Sequence, residues 1–146
     1  MLAWALGCSE IPAHDDLVEF YSMWQDLGRL NVEAAKQLLD NPIVVTRDEI
    51  RSLRGQLFAV HWRLRHFRLN REVIDFEDFA MTCWFGPLDM DNLPLIDGDL
   101  SVPGTRLDRT LQDRLESAGS IAMERHKASN WLRDGPARYS DASQDT

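Results

Sequence analysis

The sequence predicts a mainly α fold, a compact multi-helix domain built around one long central helix at residues 46–70. Apolar side chains recur there at spacings of three and four residues, which places them in one stripe along a helix. An apolar fraction of 44% and five tryptophans can supply a packed core. The length of 146 residues suits one domain. The stripe consists of Ile50, Leu53, Leu57, Val60, Leu64 and Phe67.

Both ends of the central helix carry residues that commonly cap helices. Thr46 and Glu49 form a T-x-x-E capping box, in which each side chain accepts a hydrogen bond from the other residue's backbone amide. Asn70 is a suitable C-terminal stop. Gly55 lies inside the helix, where glycine costs about 1 kcal/mol relative to alanine. We therefore expect the backbone of another segment to approach the helix closely at Gly55.

Two helical segments are predicted near the start of the sequence. Residues 1–6 have the pattern of the last turns of a helix, which Gly7 ends. A second helix is expected to begin with Asp15 or Asp16 as its N-cap and to end at Gly28. Its predicted apolar face is formed by Leu17, Phe20, Trp24 and Leu27.

Two further short helices are predicted from an N-terminal cap and a stop that contains proline. The first follows Asn31 and ends at Asn41-Pro42, with the inward face Val32, Ala35, Leu38 and Leu39. The second follows Asp75 and continues to about Trp84, before Gly86-Pro87, with the inward face Phe76, Phe79, Ala80 and Cys83.

A small β-hairpin insertion is predicted near residues 100–107. The stretch 87–107 contains no helical period, and two short segments with strand-like residues flank Pro103-Gly104. Proline followed by glycine is typical of a two-residue turn. The expected strands are Leu100-Ser101-Val102 and Thr105-Arg106-Leu107.

The last helical region begins at Asp108 in this prediction, with Gly119 as a point where it can divide in two and Gly135-Pro136 as its end. One side carries Leu111, Leu115, Ala118, Ala122, Arg125, Ser129 and Leu132. We predict one helical domain over residues 1–136, followed by a polar tail over residues 137–146.

The charge is distributed unevenly. The net charge is −8, yet residues 46–71 hold seven arginines against two acids, a balance of +5 that leaves −13 elsewhere. This distribution argues against nucleic-acid binding by the whole surface. Cys8 and Cys83 form no metal-binding or redox motif, so a reduced, cytoplasmic protein is expected. No apolar stretch reaches the roughly 18 residues of a membrane span.

No catalytic or cofactor-binding motif occurs: GxGxxG, GxxxxGK[ST], GxSxG and HExxH are all missing from the sequence. The acidic run Asp89-Met90-Asp91-Asn92 lacks the glycine and closing glutamate of a calcium loop. We therefore predict no catalytic residues, no metal site and no cofactor, and we expect a protein that is not an enzyme.

A second stripe on the central helix is the candidate binding surface. Arg54, Phe58, His61 and Arg65 follow one another at helical spacing, with Trp62 beside them. Arginine and aromatic side chains arranged in this way can hold an anion or a planar ligand. The alternative is that these arginines form ordinary ion pairs with acidic neighbouring helices.

The end of the sequence resembles a known family. Residues 120–132, SIAMERHKASNWL, resemble the E-R-H-x-A-x-N-W-L segment that closes members of the bacterial family called domain of unknown function 4272. LAWALG at residues 2–7 and the central helix with His61-Trp62 are also similar to that family. Its members usually carry a further helical segment before W-A-L-G, where this sequence begins. The resemblance implies a helical fold with no assigned activity, and it suggests that His61, Trp62, Arg125, Asn130 and Trp131 lie together.

Three function classes follow. The first is a non-enzymatic helical interaction module, with a second copy of the chain or another protein as partner. The second is a domain that binds a small molecule or phosphate, or an enzyme that acts on one, with a pocket lined by Arg54, His61, Trp62, Arg65, Arg125 and Asn130. The third is an acidic inhibitor or immunity-type protein that occupies a partner's nucleic-acid site, which the charge of −13 outside the central helix allows.

Overall fold

The computed structural model describes residues 1–27, 31–41, 43–135 and 137–145 and confirms the mainly α fold. Two long antiparallel helices, α4 and α6, form its centre, and shorter elements surround them. None of the helices in these ranges is long and apolar enough to cross a membrane. The elements are α1 Leu2–Ala5, α2 Phe20–Asp26, α3 Val32–Asp40, α4 Arg47–Asn70, α5 Phe76–Thr82, β1 Leu95–Ile96, β2 Asp99–Leu100 and α6 Gln112–Asp134, with 3-10 turns at Leu107–Arg109 and Tyr139–Asp141.

The central helix has the predicted bounds and the predicted capping box. The Thr46 hydroxyl accepts a hydrogen bond from the Glu49 amide at 3.2 Å, and the Glu49 carboxylate accepts one from the Thr46 amide at 2.7 Å. Arg71, in the left-handed conformation, ends the helix. At Gly55, an added Cβ would lie 3.0 Å from Cβ of Asp89. The close neighbour is therefore the side chain of Asp89, and the expectation that another backbone approaches here is wrong.

The apolar stripe of α4 packs on α6 and forms the core. Its last four members are buried, and Ile50 and Leu53 are half-buried. Ala118 and Ala122 of α6 are almost completely buried, and side chains this small allow the two helix backbones to approach closely. Helix α6 is continuous through Gly119, so the predicted division there is wrong, and it begins after Leu111 rather than at Asp108. The buried stripe residues are Leu57, Val60, Leu64 and Phe67.

The β-hairpin lies directly before the predicted position. Strands β1 and β2 are antiparallel and are joined by Asp97-Gly98, both with positive φ. An Asp-Gly pair with two positive φ angles forms the turn whose twist matches paired strands, whereas Pro103-Gly104 favours a different turn. The predicted hairpin at 100–107 is therefore reduced to a single bridge between Ser101 and Arg106.

A buried ion pair attaches this hairpin to the central helix. Arg63 of α4 donates two hydrogen bonds of 2.6 Å to the two carboxylate oxygens of Asp99, and a third of 3.0 Å to the carbonyl of Glu72. The side chains are 0% and 2% exposed. Asp99 also accepts from the Leu100 amide at 2.8 Å. The buried charges of Arg63 and Asp99 are thus compensated by each other and by these hydrogen bonds, as buried charges require.

The segments before α4 follow the predicted order, with one shifted boundary. Ala3 and Ala5 of helix α1 are buried, and the Ala5 carbonyl accepts a hydrogen bond from the Val45 amide at 3.1 Å. Helix α2 begins at Phe20, several residues after the predicted caps Asp15 and Asp16, and its N-cap makes no side-chain hydrogen bond. The predicted stops Gly28 and Pro42 lie outside the described residues.

Helix α3 starts as predicted but covers only part of the predicted face. The Asn31 side chain accepts from the Glu33 amide at 3.0 Å, which is the expected cap. Val32 is 82% exposed and Leu39 is 80% exposed, so the prediction that these two residues point inward is wrong. Their helix is amphipathic, and the other two predicted inward residues, Ala35 and Leu38, are half-buried.

The last residues pack against α6. The Tyr139 hydroxyl donates to the Glu124 carboxylate at 3.0 Å, and Ala142 is buried. The Ser143 carbonyl accepts a hydrogen bond from Asn130 at 3.0 Å. The described part of the predicted polar tail therefore covers the C-terminal half of α6.

Replacing Asp99 by asparagine should destabilise the fold strongly. Asp99→Asn leaves the Arg63 guanidinium buried without its counter-charge, which costs about 3–5 kcal/mol of unfolding free energy. Urea unfolding followed by circular dichroism measures this loss. The matched control is Asp48→Asn, which breaks an ion pair whose side chains are 73% and 85% exposed, and it should cost about 1 kcal/mol or less. Equal small losses for the two variants would contradict the role of the buried pair.

Candidate functional site

Two buried histidines meet between the long helices. His61 of α4 and His126 of α6 face each other with 3.1 Å between their Nδ1 atoms. His61 is 8% exposed and His126 is fully buried. Phe58 lies edge-on against the His126 ring, with 5.5 Å between the ring centroids. The pair thus lies in a site that is nearly closed to water.

The pair continues into a chain of polar side chains. Asn130 lies one turn after His126 on α6, and its amide nitrogen is 3.1 Å from Nε2 of His126. The same nitrogen donates to the Ser143 carbonyl. On the other side, the Asn130 oxygen accepts from Nε of Arg54 at 2.5 Å. The connected order is Arg54, Asn130, His126 and His61.

The arginine gives this chain a fixed direction. A guanidinium can only donate, so the oxygen of the Asn130 amide faces Arg54 and its NH₂ group faces His126. Nε2 of His126 is therefore an acceptor, and the proton of the neutral ring is on Nδ1. That N–H donates to Nδ1 of His61, which leaves the His61 proton on Nε2.

Both imidazoles are held in the neutral form that this direction requires. Burial, together with the smaller effects of the neighbouring His61 and Arg54, lowers the pKa of His126 to about 4. Burial also lowers the pKa of His61, with additional contributions from the positive charges of Arg65 and Arg68. Near pH 7 neither ring is charged, so the directed chain of hydrogen bonds is intact.

A groove opens beside His61. It lies between the second half of α4 and the first half of α6 and has a volume of about 320 Å³. Its α4 side contributes basic residues, its α6 side contributes polar residues, and its apolar wall consists of side chains from both helices. The lining residues are His61, Leu64, Arg65, Phe67, Arg68, Arg71, Gln112, Leu115, Glu116, Gly119, Ser120 and Met123.

The structure brings together some of the predicted site residues and separates the others. Arg54, His61 and Asn130 belong to the polar chain, and Arg65 lines the groove next to His61. Trp62 points to another side of α4, where its ring stacks on Phe79 with 4.4 Å between centroids. Trp62 is therefore part of an aromatic cluster with α5 and does not line the groove.

Arg125 is also separate from the polar chain. Its guanidinium donates to the carbonyls of Pro12, Ala13 and Asp16 at 3.1, 2.6 and 2.7 Å. These bonds attach the loop before α2 to α6. Trp131, which the family resemblance groups with these residues, lies against Tyr139 with ring centroids 6.2 Å apart.

His126 was not among the predicted site residues, although it is central to the polar chain. Glu124, Arg125 and His126 are successive residues of α6 and point in different directions, so they form no local pair. The partner of His126 lies 65 positions away on another helix. The available signal was the spacing of four between His126 and Asn130, which places them on the same helix face.

Within the described ranges, no group of three or more histidine, cysteine or acidic side chains is arranged to hold a metal ion. Comparisons of the chain with models of protein families, with curated proteins and with solved structures gave no match, so the resemblance to domain of unknown function 4272 stays a prediction.

The histidine pair should make stability depend on pH. Below pH 6.5 a histidine in the unfolded chain takes up a proton, whereas folded His126 stays neutral down to about pH 4. The unfolded state then binds more protons, so the free energy of unfolding falls as the pH is lowered from about 6.5 to 4. His126 alone should contribute about 3 kcal/mol to that fall.

Urea unfolding of the wild type and of His126→Gln at a series of pH values isolates this contribution, because the carboxylates titrate alike in both proteins. The wild type should lose more stability over this interval than the variant does. NMR titration of the His126 ring should show its midpoint near pH 4. Parallel stability curves, or a midpoint near 6.5, would contradict the neutral pair.

Proposed function

We propose that this protein is a non-enzymatic helical interaction module that binds a second copy of itself through the described residues of segment 17–44, which are 17–27, 31–41, 43 and 44. The observation that supports this proposal is the set of uncovered apolar side chains in this segment. Helices α2 and α3 have no extensive packing contact with any other element of the described chain. The exposed apolar residues are Leu17, Val18, Tyr21, Met23, Val32, Leu39, Ile43 and Val44.

Such a surface costs free energy unless something covers it. Helices α2 and α3 have seven and nine residues, which is shorter than an isolated helix needs to be stable in water. Helices this short are normally stabilised by packing an apolar face on a neighbour. A concentration of exposed apolar side chains in one segment is also typical of a protein–protein contact.

A second copy is the occupant that fits this surface. Two short amphipathic helices that meet the same two helices of another copy can form a four-helix arrangement with a shared apolar interior. The segment 17–44 holds four acids and two basic residues, so it carries only −2 of the net charge of −8. Charge repulsion between two such segments is therefore small.

We place the protein in the cytoplasm within the same proposal. Cys8 and Cys83 are not joined to each other, which agrees with a reducing compartment. The role is binding, and the buried histidines support it by holding α4 and α6 in one register.

Polar substitutions in α3 should weaken self-association. Val32→Ser combined with Leu39→Ser removes two exposed apolar side chains without changing the charge. If both are buried in the dimer, the dissociation constant should rise about tenfold or more. Light scattering across a concentration series measures it.

Met81→Ser is the matched control, because Met81 is an equally exposed apolar side chain on α5. It should leave the dissociation constant of the dimer unchanged. A wild-type protein that stays monomeric at all concentrations would contradict self-association. A dimer that both variants weaken equally would contradict the assignment to residues 17–44.

A further inference from the structure

We propose that the groove between α4 and α6 binds a small phosphomonoester, with the phosphoryl group beside His61 and Arg68 and the organic group on the apolar wall. This site is separate from the self-association surface at residues 17–44 and goes beyond the proposed function. The argument rests on the donors that the groove presents, on its charge and on its size.

The first support is Nε2 of His61, the ring nitrogen that takes no part in the polar chain. Nδ1 of His61 is occupied by His126, so Nε2 is the ring nitrogen that this pair leaves available. The direction set by Arg54 places a proton on Nε2. The groove wall therefore contains the N–H of a side chain that is itself 8% exposed. Nε2 is not among the fully buried atoms that lack a partner, and an N–H at the groove wall can donate to a ligand oxygen.

The second support is the excess of positive charge. Arg65, Arg68 and Arg71 line the groove, and Glu116 is the acidic side chain among the lining residues. Arg65 and Arg68 lie close enough to His61 for their charges to lower its pKa. With His61 neutral, the lining carries a net charge of +2. Guanidinium groups bind phosphoryl oxygens through paired, charge-assisted hydrogen bonds.

The arginine at the end of α4 is already positioned. Arg71 donates to the Gln112 side-chain oxygen at 2.7 Å, and its guanidinium lies over the Phe67 ring at 5.6 Å. Gln112 donates in turn to Glu116 at 2.7 Å. The Glu116 carboxylate is thus held by a hydrogen bond within its own helix, α6. Side chains fixed in this way lose less conformational entropy when a ligand binds.

The N-terminus of α6 adds to the positive electrostatic potential of the groove. Its N-cap is Leu111, which provides no side-chain acceptor for the first amides of the helix. The Asp113 carboxylate accepts from the Arg114 amide at 2.9 Å, and the other amides and the helix dipole favour an anion near this end. Gln112, the first residue of α6, lines the groove, so this positive end lies at the same site as the arginines.

The size of the groove favours an ester over inorganic phosphate. A volume of about 320 Å³ falls in the range of small-molecule sites and exceeds what one tetrahedral anion fills. Four apolar side chains form the remaining wall, and they can cover an organic group attached to the phosphoryl oxygen. They are Leu64, Phe67, Leu115 and Met123.

Calorimetric titration with two probes tests the proposal, using the full chain. Phenyl phosphate should bind in a saturable manner and more tightly than inorganic phosphate, because only the ester reaches the apolar wall. Arg68→Gln removes a charged donor from the groove and should weaken phenyl phosphate binding about tenfold or more. Ser120→Glu places a negative charge in the groove and should weaken it as strongly.

Arg51→Gln is the matched control, since it removes the same charge from an exposed position on α4 outside the groove. It should change the affinity less than twofold if the charge acts locally. Equal weakening by Arg68→Gln and Arg51→Gln, or the absence of saturable binding, would overturn the site. Equal affinities for the two probes would overturn the assignment to an ester. Light scattering on the same samples keeps this result separate from self-association.

Discussion

The contact between α4 and α6 buries polar side chains, and those groups must find their hydrogen bonds inside the protein. Arg54 pairs with Asn130 and His61 pairs with His126, so increasing numbers on α4 meet decreasing numbers on α6. These two contacts fix the antiparallel direction of the helices and their relative position. A shift by one turn would break both contacts and leave buried polar groups without partners. Apolar packing by the alanines and leucines between these helices tolerates such shifts better, since it has no directional bonds.

The opposite side of α4 is fixed by a different kind of interaction. Arg63 holds the hairpin through its ion pair with Asp99, and Trp62 stacks on Phe79 of α5. Helix α4 is therefore covered on two sides over its second half, although a stripe pattern alone predicts burial on one side. What remains open on this half is the part that carries Arg65 and Arg68, at the edge of the groove.

The features that the sequence predicts well are set by residues close together in the chain. The capping box of Thr46 and Glu49 and the caps at Asn31 and Asp75 each involve side chains within three positions, and all are present in the structure. The pairs His61–His126 and Arg63–Asp99 depend on how distant segments meet, so local patterns do not reveal them. Seven arginines in residues 46–71 look alike in the sequence.

Neutral histidines at the centre cost less to bury than charged ones and still present a donor to the groove. Burying two imidazolium ions would cost several kcal/mol per ion, whereas neutral rings keep directional hydrogen bonds without that cost. Because Arg54 cannot accept a hydrogen bond, the order of donors along the chain is fixed from one end. The far end is then always the N–H of His61, so this ring presents a donor and no acceptor beside the arginines. A cation at this position would be repelled by the arginines and would find no lone pair to bind. An anion would be attracted by the arginines and could accept the N–H of His61.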